Sequence, residues 1–384
     1  MQNQMDRTTT TTYPLTVAYD AKRAYLNYRG LGNYCRNLFA QLKQYAPEGK
    51  YLLCTPQDEG LYPWLNEAPF ERIMPQGVWH VAPSVWRKFG IPSALRDRHV
   101  DIYHGLSQEL PEGIERLGCK TVVTMHDAIF LRYPHLYSPT YRMIFTHMNR
   151  SACRRADLII AISEQTKRDY MDFFGVEEER IRVVYQGCND LYWQPIADAQ
   201  LQGVRTRYDL PHEYVLSVGA LEARKNHSRI IEALADAHIA LPLVLVGKGN
   251  RAFRQQLIDT ARRYGIDLRI LDNAATQDLP AIYRMALVFV YPSLFEGFGI
   301  PILEAARCST PIVASSGICF DEITADGALY ADPLDVAAIG HAIHDTLYDS
   351  RQTAERVRKA LNHTEKFRAQ RIMNDMMDVY RSIL

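Results

Sequence analysis

Short apolar runs alternate with helical patterns from one end of the chain to the other. Runs too short for a helix, and rich in branched and aromatic side chains, read as buried strands. In the first half these are Leu15–Tyr19, Tyr51–Cys54, Asp101–Tyr103, Thr121–Met125, Leu158–Ile162 and Arg182–Tyr185. In the second half they are Tyr214–Val218, Leu243–Val246, Leu268–Leu271, Leu287–Tyr291, Pro311–Ala314 and Ala328–Tyr330. Repeated β–α alternation predicts α/β architecture, with parallel sheets covered by helices on both faces. Twelve strands are too many for one such sheet, and the polar stretch Asn189–Leu210 is a natural divider. The economical reading is two doubly wound, Rossmann-like domains, over residues 14–192 and 193–368. The polar lead-in 1–13, with its threonine run, reads as disordered. In the tail, Ile372, Met373, Met376, Met377 and Tyr380 form a helical stripe over 369–384 that must be buried.

One stretch, Leu287–Ser316, carries the densest signal. The apolar run Leu287–Tyr291 is stopped by Pro292 and Ser293, and a loop with Glu296, Gly297 and Gly299 follows. Pro301 suits the first position of a helix, where its missing N–H is no loss. That helix runs to Cys308 and ends before the strand Pro311–Ala314. This is one βαβ unit. It places Glu296 in the loop beyond a strand's carboxyl end and Glu304, eight positions on, in the first turn of the helix. Open α/β sheets bind ligands at that edge, and the N–H groups at a helix start favour anionic or hydroxyl-rich ligands. Taken alone, Glu304 does no more than complement the helix dipole.

Other strand ends carry chemistry of the same kind. In YVLSVGALEARKN, a strand is followed by Gly219 and then by Arg224 and Lys225. Adjacent cations at a strand's carboxyl end suit a diphosphate, arginine gripping two oxygens and lysine adding a point charge. The run LVLVGKGN is a further strand, followed by Gly247 and Gly249. His126 and Asp127 follow the strand Thr121–Met125 directly, and His104 sits at an equivalent place in DIYHGLSQELP, where it is a candidate to face an acceptor along with Asp127. Ser163 and Gln186–Gly187 are similar edge positions. Gly30 and Gly32 open a helix but lack the third glycine of G-x-G-x-x-G, replaced by Cys35, and stand about ten residues past the strand. The pattern therefore does not support an NAD site, and without G-x-x-x-x-G-K-[ST] a P-loop kinase or ATPase is not supported either.

Composition narrows the class. The 384 residues are 47% apolar and 23% charged, ample for two cores, and the formal net charge is zero, which gives no support to nucleic-acid binding. Seven cysteines form no C-x-x-C pair, so neither a disulfide framework nor a zinc site is suggested. The N-terminus lacks the apolar core of a signal peptide and no run approaches a membrane span. The expected setting is cytoplasmic. Any membrane contact would be peripheral, and the aromatic and basic segment Val78–Val100 is the candidate for it.

The E-x7-E pattern from Glu296 to Glu304, together with VGALEARKN and VVTMHDAIF, resembles the retaining glycosyltransferases of family 4. The resemblance covers nearly the whole chain and implies the GT-B fold. In that fold two Rossmann-like domains face each other across a cleft, and the final helix (369–384 here) crosses back to the N-terminal, acceptor-side domain. It implies a hexosyltransferase that uses a nucleoside diphosphate sugar, GDP-mannose first and UDP-glucose second, and a glycan or lipid-linked acceptor. By resemblance Arg224 and Lys225 hold the donor diphosphate, Glu304 the ribose hydroxyls, and Glu296 lies beside the sugar. Gly219, Gly247 and Gly297–Ile300 (with Phe298 and Gly299) line the donor, the Gly30–Gly32 loop approaches its phosphates, and His126 lies beside the transferred sugar. The chain has no D-x-D triplet, so neither a metal nor any other cofactor is expected. A sugar-nucleotide epimerase or phosphorylase on the same fold, and a silent scaffold in a polysaccharide assembly complex, are the alternatives.

Overall fold

The computed structural model describes residues 14–28 and 30–384; the expected disordered lead-in, 1–13, lies outside the described residues. These residues form two sheets. The first contains β1 (Thr16–Asp20), β2 (Lys50–Cys54), β3 (Phe70–Ile73), β4 (Ile102–Gly105), β5 (Lys120–Met125), β6 (Leu158–Ala161) and β7 (Ile181–Val183), in the order β3-β2-β1-β4-β5-β6-β7. The second contains β8 (Val215–Val218), β9 (Leu243–Val246), β10 (Leu268–Leu271), β11 (Val288–Tyr291), β12 (Ile312–Ser315) and β13 (Leu329–Ala331), in the order β10-β9-β8-β11-β12-β13. All its neighbours pair in parallel, as do β3 to β5 across the first sheet. Counted from its own first strand, each sheet begins 3-2-1-4-5-6, the order of nucleotide-binding sheets.

All twelve expected strands are present, with ends shifted by a residue or two. The thirteenth, β3, was not expected. Its sequence FERI buries Phe70 and Ile73 but places two charged residues between them. An edge strand has one open side, so it does without a continuous apolar run.

By contacts the chain divides into two compact units. One comprises residues through Thr124, Ser151–Ile159 and Met377–Leu384, and the other Met125–Arg150 and Ile160–Met376. The last helix, Ala369–Arg381, buries the expected stripe, Ile372, Met373, Met376, Met377 and Tyr380. Within the first unit the Tyr380 hydroxyl lies 2.7 Å from His104 Nδ1 and 3.0 Å from the Tyr19 hydroxyl. In the second unit Val215, Leu245, Val290 and Val313 of the sheet pack with Ile230, Leu234, Ile339 and Ile343 of the helices His227–Asp236 and Val336–Tyr348. Among the described residues no helix is long and apolar enough to cross a membrane.

The ends of β8 and β9 come together through glycine. Gly247 has φ of +155°, and a Cβ there would stand 1.8 Å from the Gly219 carbonyl oxygen. Only glycine allows that approach. Gly247→Ala is therefore expected to destabilise the protein by about 3 kcal/mol or more, combining backbone strain with overpacking. Gly203→Ala, in the helix Asp198–Arg207 with open space around it, should be neutral or stabilising by up to about 1 kcal/mol. Urea midpoints of the two variants check this.

Candidate functional site

At the carboxyl edge of the second sheet, β8 and β11 are neighbours from which the strand order proceeds in opposite directions. A doubly wound sheet binds ligands at such a switch point. Two loops leave it, one after β8 carrying Arg224 and Lys225, the other after β11 carrying Glu296. They are tied together along the backbone. Leu294 N–H donates to the Arg224 carbonyl at 2.9 Å, and the Arg224 guanidinium donates to the Phe295 carbonyl at 2.7 Å. Asn226, held at φ +62°, donates from its side chain to the carbonyls of Pro292 and Pro333 at 3.1 and 2.7 Å.

The charged side chains converge on one oxygen. Glu296 Oε1 lies 2.5 Å from Lys225 Nζ and 2.7 Å from Arg224 Nη1, and accepts from the Tyr291 hydroxyl at 3.3 Å. Lys225 also donates to Tyr291 at 2.6 Å, and the other arm of Arg224 reaches Glu222 at 2.7 Å. The cluster is largely dry, with Lys225, Glu296 and Arg224 side chains 10%, 14% and 23% exposed. Burial opposes the charge of Glu296, but Lys225 and Arg224 outweigh it and hold the carboxyl below its ordinary value. Burial lowers Lys225 more than Glu296 raises it. For Arg224 the balance is reversed, since Glu296 and Glu222 overcome burial and push it up. Behind them His227 is fully buried and driven down to about 3 by burial and by Lys225, so it is neutral. Two cations share one largely buried carboxylate, with Glu222 balancing Arg224 from the other side, so both are held in place in advance at the sheet edge.

The loop after Glu296 is anchored within the same unit. Ser163, the N-cap of the helix Glu164–Phe174, donates to the Gly297 carbonyl at 2.6 Å. Thr166 donates to the Gly297 and His126 carbonyls, both at 3.2 Å. The Cys319 thiol donates to the Phe298 carbonyl at 2.9 Å. A Cβ on Gly297 would stand 1.9 Å from the His126 carbonyl oxygen. Glycine there lets the loop meet the His126–Asp127 segment. Asp127 is half-buried, and desolvation raises its pKa against the lowering influence of the Ile129 N–H and of Arg224, with Glu296 adding to the rise.

Glu304 differs from its expected placement. The helix begins at Ile300 rather than Pro301, so Glu304 stands in the second turn, beyond the reach of a dipole role. Its carboxylate accepts from the Tyr283 hydroxyl at 2.8 Å. Burial pushes its pKa up to about 7, against the lowering influence of the Tyr283 and Tyr192 hydroxyls. It is an acceptor-rich group with no cation among the causes of its shift.

The remaining candidates divide between the units. Gly219 and Gly247 end β8 and β9, and Gly299 and Ile300 open the helix Ile300–Arg307. In the first unit Gly30 and Gly32 open the helix Gly30–Tyr45; Gly32 is pressed against the Asn27 carbonyl, while the space at Gly30 is open. His104 is corrected. Its side chain is 0% exposed, with Nδ1 on Tyr380 and Nε2 on Thr124 at 2.7 Å each, so it supports the fold and does not face an acceptor. Sequence reasoning missed Tyr291, Tyr283 and Thr166. A tyrosine ending a buried strand, as in VFVY, was the available signal, because its hydroxyl must find a partner.

The model for Glycosyl transferases group 1 matches residues 205–364, and that for Glycosyltransferase Family 4 matches residues 28–190. The O-antigen chain mannosyltransferase B of Escherichia coli is 31% identical over 298 residues, covering 75% of this chain and 76% of that protein. The chain belongs to the family 4 glycosyltransferases. The serotype-specific mannosyltransferase WbdA of Escherichia coli is 29% identical over 259 residues, covering 65% of this chain and 32% of that longer protein. The crystal structure of Anabaena Alr3699/HepE in complex with UDP-glucose superposes with a TM-score of 0.76 at 20% identity, covering 96% of this chain and 99% of that one. This glycosyltransferase therefore has the GT-B fold. Glu296 to Ile300 and Arg224–Lys225 lie in the half matched by the group 1 model, and His126–Asp127 in the half matched by the family 4 model.

Proposed function

We propose that this glycosyltransferase moves a hexose, mannose before glucose, from a nucleoside diphosphate sugar to a hydroxyl of a glycan or lipid-linked acceptor, with retention at the anomeric carbon and without a metal. The observation that carries the reading is the pair of largely buried cations on Glu296 at the β8–β11 switch point. As the glycosidic bond breaks, the diphosphate gains negative charge, which Arg224 and Lys225 stabilise by fixed electrostatics. Glu304 accepts hydrogen bonds from the nucleoside ribose. Glu296 stands beside the sugar, and His126 and Asp127 close that side. The leaving phosphate oxygen takes the acceptor's proton on the same face. Mannose is favoured because O-antigen chain mannosyltransferase B and WbdA carry mannosyl transfer in their names. UDP-glucose stands second because Alr3699/HepE binds it.

The test is a thermal-shift titration with GDP, UDP, GDP-mannose and UDP-glucose, with and without EDTA. A ligand at a hundred times its Kd stabilises the folded state by about 2.7 kcal/mol. Stabilisation by the guanine pair, unchanged by EDTA and lost in Glu304→Ala, is expected. Stabilisation by the uracil pair alone reassigns the donor. A shift abolished by EDTA removes the metal-free reading, and no shift from any of the four puts the silent scaffold ahead of the transferase. Nucleoside diphosphate released only when acceptor is present separates transfer from an epimerase or phosphorylase.

A further inference from the structure

The first unit carries an apolar face that its own core does not use. A 3-10 turn, Gly77–Val81, leads into the helices Pro83–Phe89 and Ile91–Leu95. Their inward side is fully engaged. Trp86, Ile91 and Leu95 are buried, and Arg87 is paired with Asp20 and Glu109. The outward side is different. Val78, Val81, Val85 and Phe89 are 82%, 90%, 47% and 50% exposed. Val85 and Phe89 stand four apart on one helix face, and Val78 and Val81 three apart on the 3-10 turn before it, so the four form the exposed apolar stripe of this segment.

Charge on the same segment indicates what covers this stripe. Between residues 77 and 100 stand Arg87, Lys88, Arg96 and Arg98 against a single carboxylate, Asp97, in a chain whose net charge is zero. Arg87 and Arg98 are committed to carboxylates. Lys88 and Arg96 are exposed and enter no ion pair among the described residues; Lys88 lies over the Phe89 ring, 5.3 Å from its centroid. Apolar side chains flanked by uncommitted cations match an anionic bilayer, where the first enter the interface and the second meet the headgroups. Four side chains fall short of the roughly 800 Å² per partner of a stable protein interface. We propose that residues 77–96 dock this protein on an anionic lipid surface, with Val78, Val81, Val85 and Phe89 entering it and Lys88 and Arg96 giving the preference for negative charge.

The proposal stands apart from the transferase reading, because vesicle binding needs no sugar transfer. The full chain is sedimented with phosphatidylcholine vesicles that contain either none or about one-third phosphatidylglycerol. Binding to the anionic vesicles only, weakened by salt, is expected. Val78→Glu with Val81→Glu should reduce it at least about tenfold. Lys88→Gln with Arg96→Gln should weaken it about fivefold per cation, removing the preference for negative charge. All four positions are exposed, so melting temperature and nucleotide binding should be unchanged. Equal binding by the Glu variant, or no wild-type binding, overturns the proposal. A dimer in solution that Val78→Glu with Val81→Glu dissolves, without vesicle binding, assigns the stripe to a second copy of the chain instead.

Discussion

Exchange of Lys225 for alanine is expected to lower kcat about 10²- to 10³-fold at saturating donor, the effect of removing one preorganised donor from a developing oxyanion. The prediction follows from where Lys225 is held. It donates to both Glu296 and Tyr291, so its ammonium needs no reorganisation when charge appears on the diphosphate. Glu296→Ala should behave differently. It leaves two largely buried cations without their shared carboxylate, which costs about 3–5 kcal/mol in the free protein. A nucleoside diphosphate then supplies the missing negative charge, so its stabilisation of Glu296→Ala should exceed that of wild type. Loss of Glu296 also removes what opposes the burial of Lys225, and the variant's residual activity should fall at lower pH than wild type as Lys225 loses its proton. Because the folded pKa of Glu296 lies below its ordinary 4.5, its contribution to wild-type stability is complete above about 4.5 and is lost as pH falls through the lower folded value. Steady-state release of nucleoside diphosphate and melting curves with and without ligand measure both variants. A Lys225→Ala enzyme within threefold of wild-type kcat would remove this cation from the chemistry.

The architecture was legible because each buried strand of these parallel sheets is a nearly pure apolar run. VFVY, LVLV and LIIA announce themselves, and Pro292 marks the end of the first and Gly247 that of the second. FERI did not, since an edge strand tolerates the part-exposed Glu71 and the exposed Arg72 and so loses the contrast on which the reading depends. For the site, the loops were legible and their partners were not. Glu296, Arg224 and Lys225 stand after strands, and position along the chain is enough to send them to one edge of a sheet. That Tyr291 joins them depends on which way a strand residue faces, and that Tyr283 reaches Glu304 depends on packing between elements 21 residues apart. His104 shows the same limit from the other side. A histidine after a strand reads alike whether solvent or a distant helix covers it, and here the hydroxyl of Tyr380 takes its ring. Glu304 was legible as a helix residue, but its tyrosine partners were not, because Tyr283 and Tyr192 reach it from other elements.

The carboxyl of Glu304 gives the second large effect. Donor affinity is expected to weaken about tenfold per pH unit below about 7 in wild type, and to be independent of pH over that range in Glu304→Gln. A carboxylate accepts hydrogen bonds at both oxygens, whereas its acid form must place a proton on one of them. Tyr283 donates to Oε2 and Tyr192 also acts on the carboxylate, and the lone pairs these two hydroxyls do not take are left to meet ribose hydroxyls in the proposed donor site. Burial has pushed the pKa up to about 7. Below that value the pocket must lose its proton before a hydroxyl-rich ligand can be accepted, and the proton's release is charged against binding. The stability of the free protein should move the opposite way to that from Glu296. The folded pKa of Glu304 lies above its ordinary 4.5, so between these values the folded state holds more protons than the unfolded one. Its contribution is greatest below about 4.5 and declines as pH rises through about 7. Glu304→Gln should therefore melt higher than wild type at about pH 8, with the gap closing near pH 5. Calorimetric titration of nucleoside diphosphate in two buffers of different ionisation enthalpy should detect a proton released near pH 6 by wild type and none by the variant. Equal proton release in both would place the titrating group elsewhere and take Glu304 out of the donor pocket.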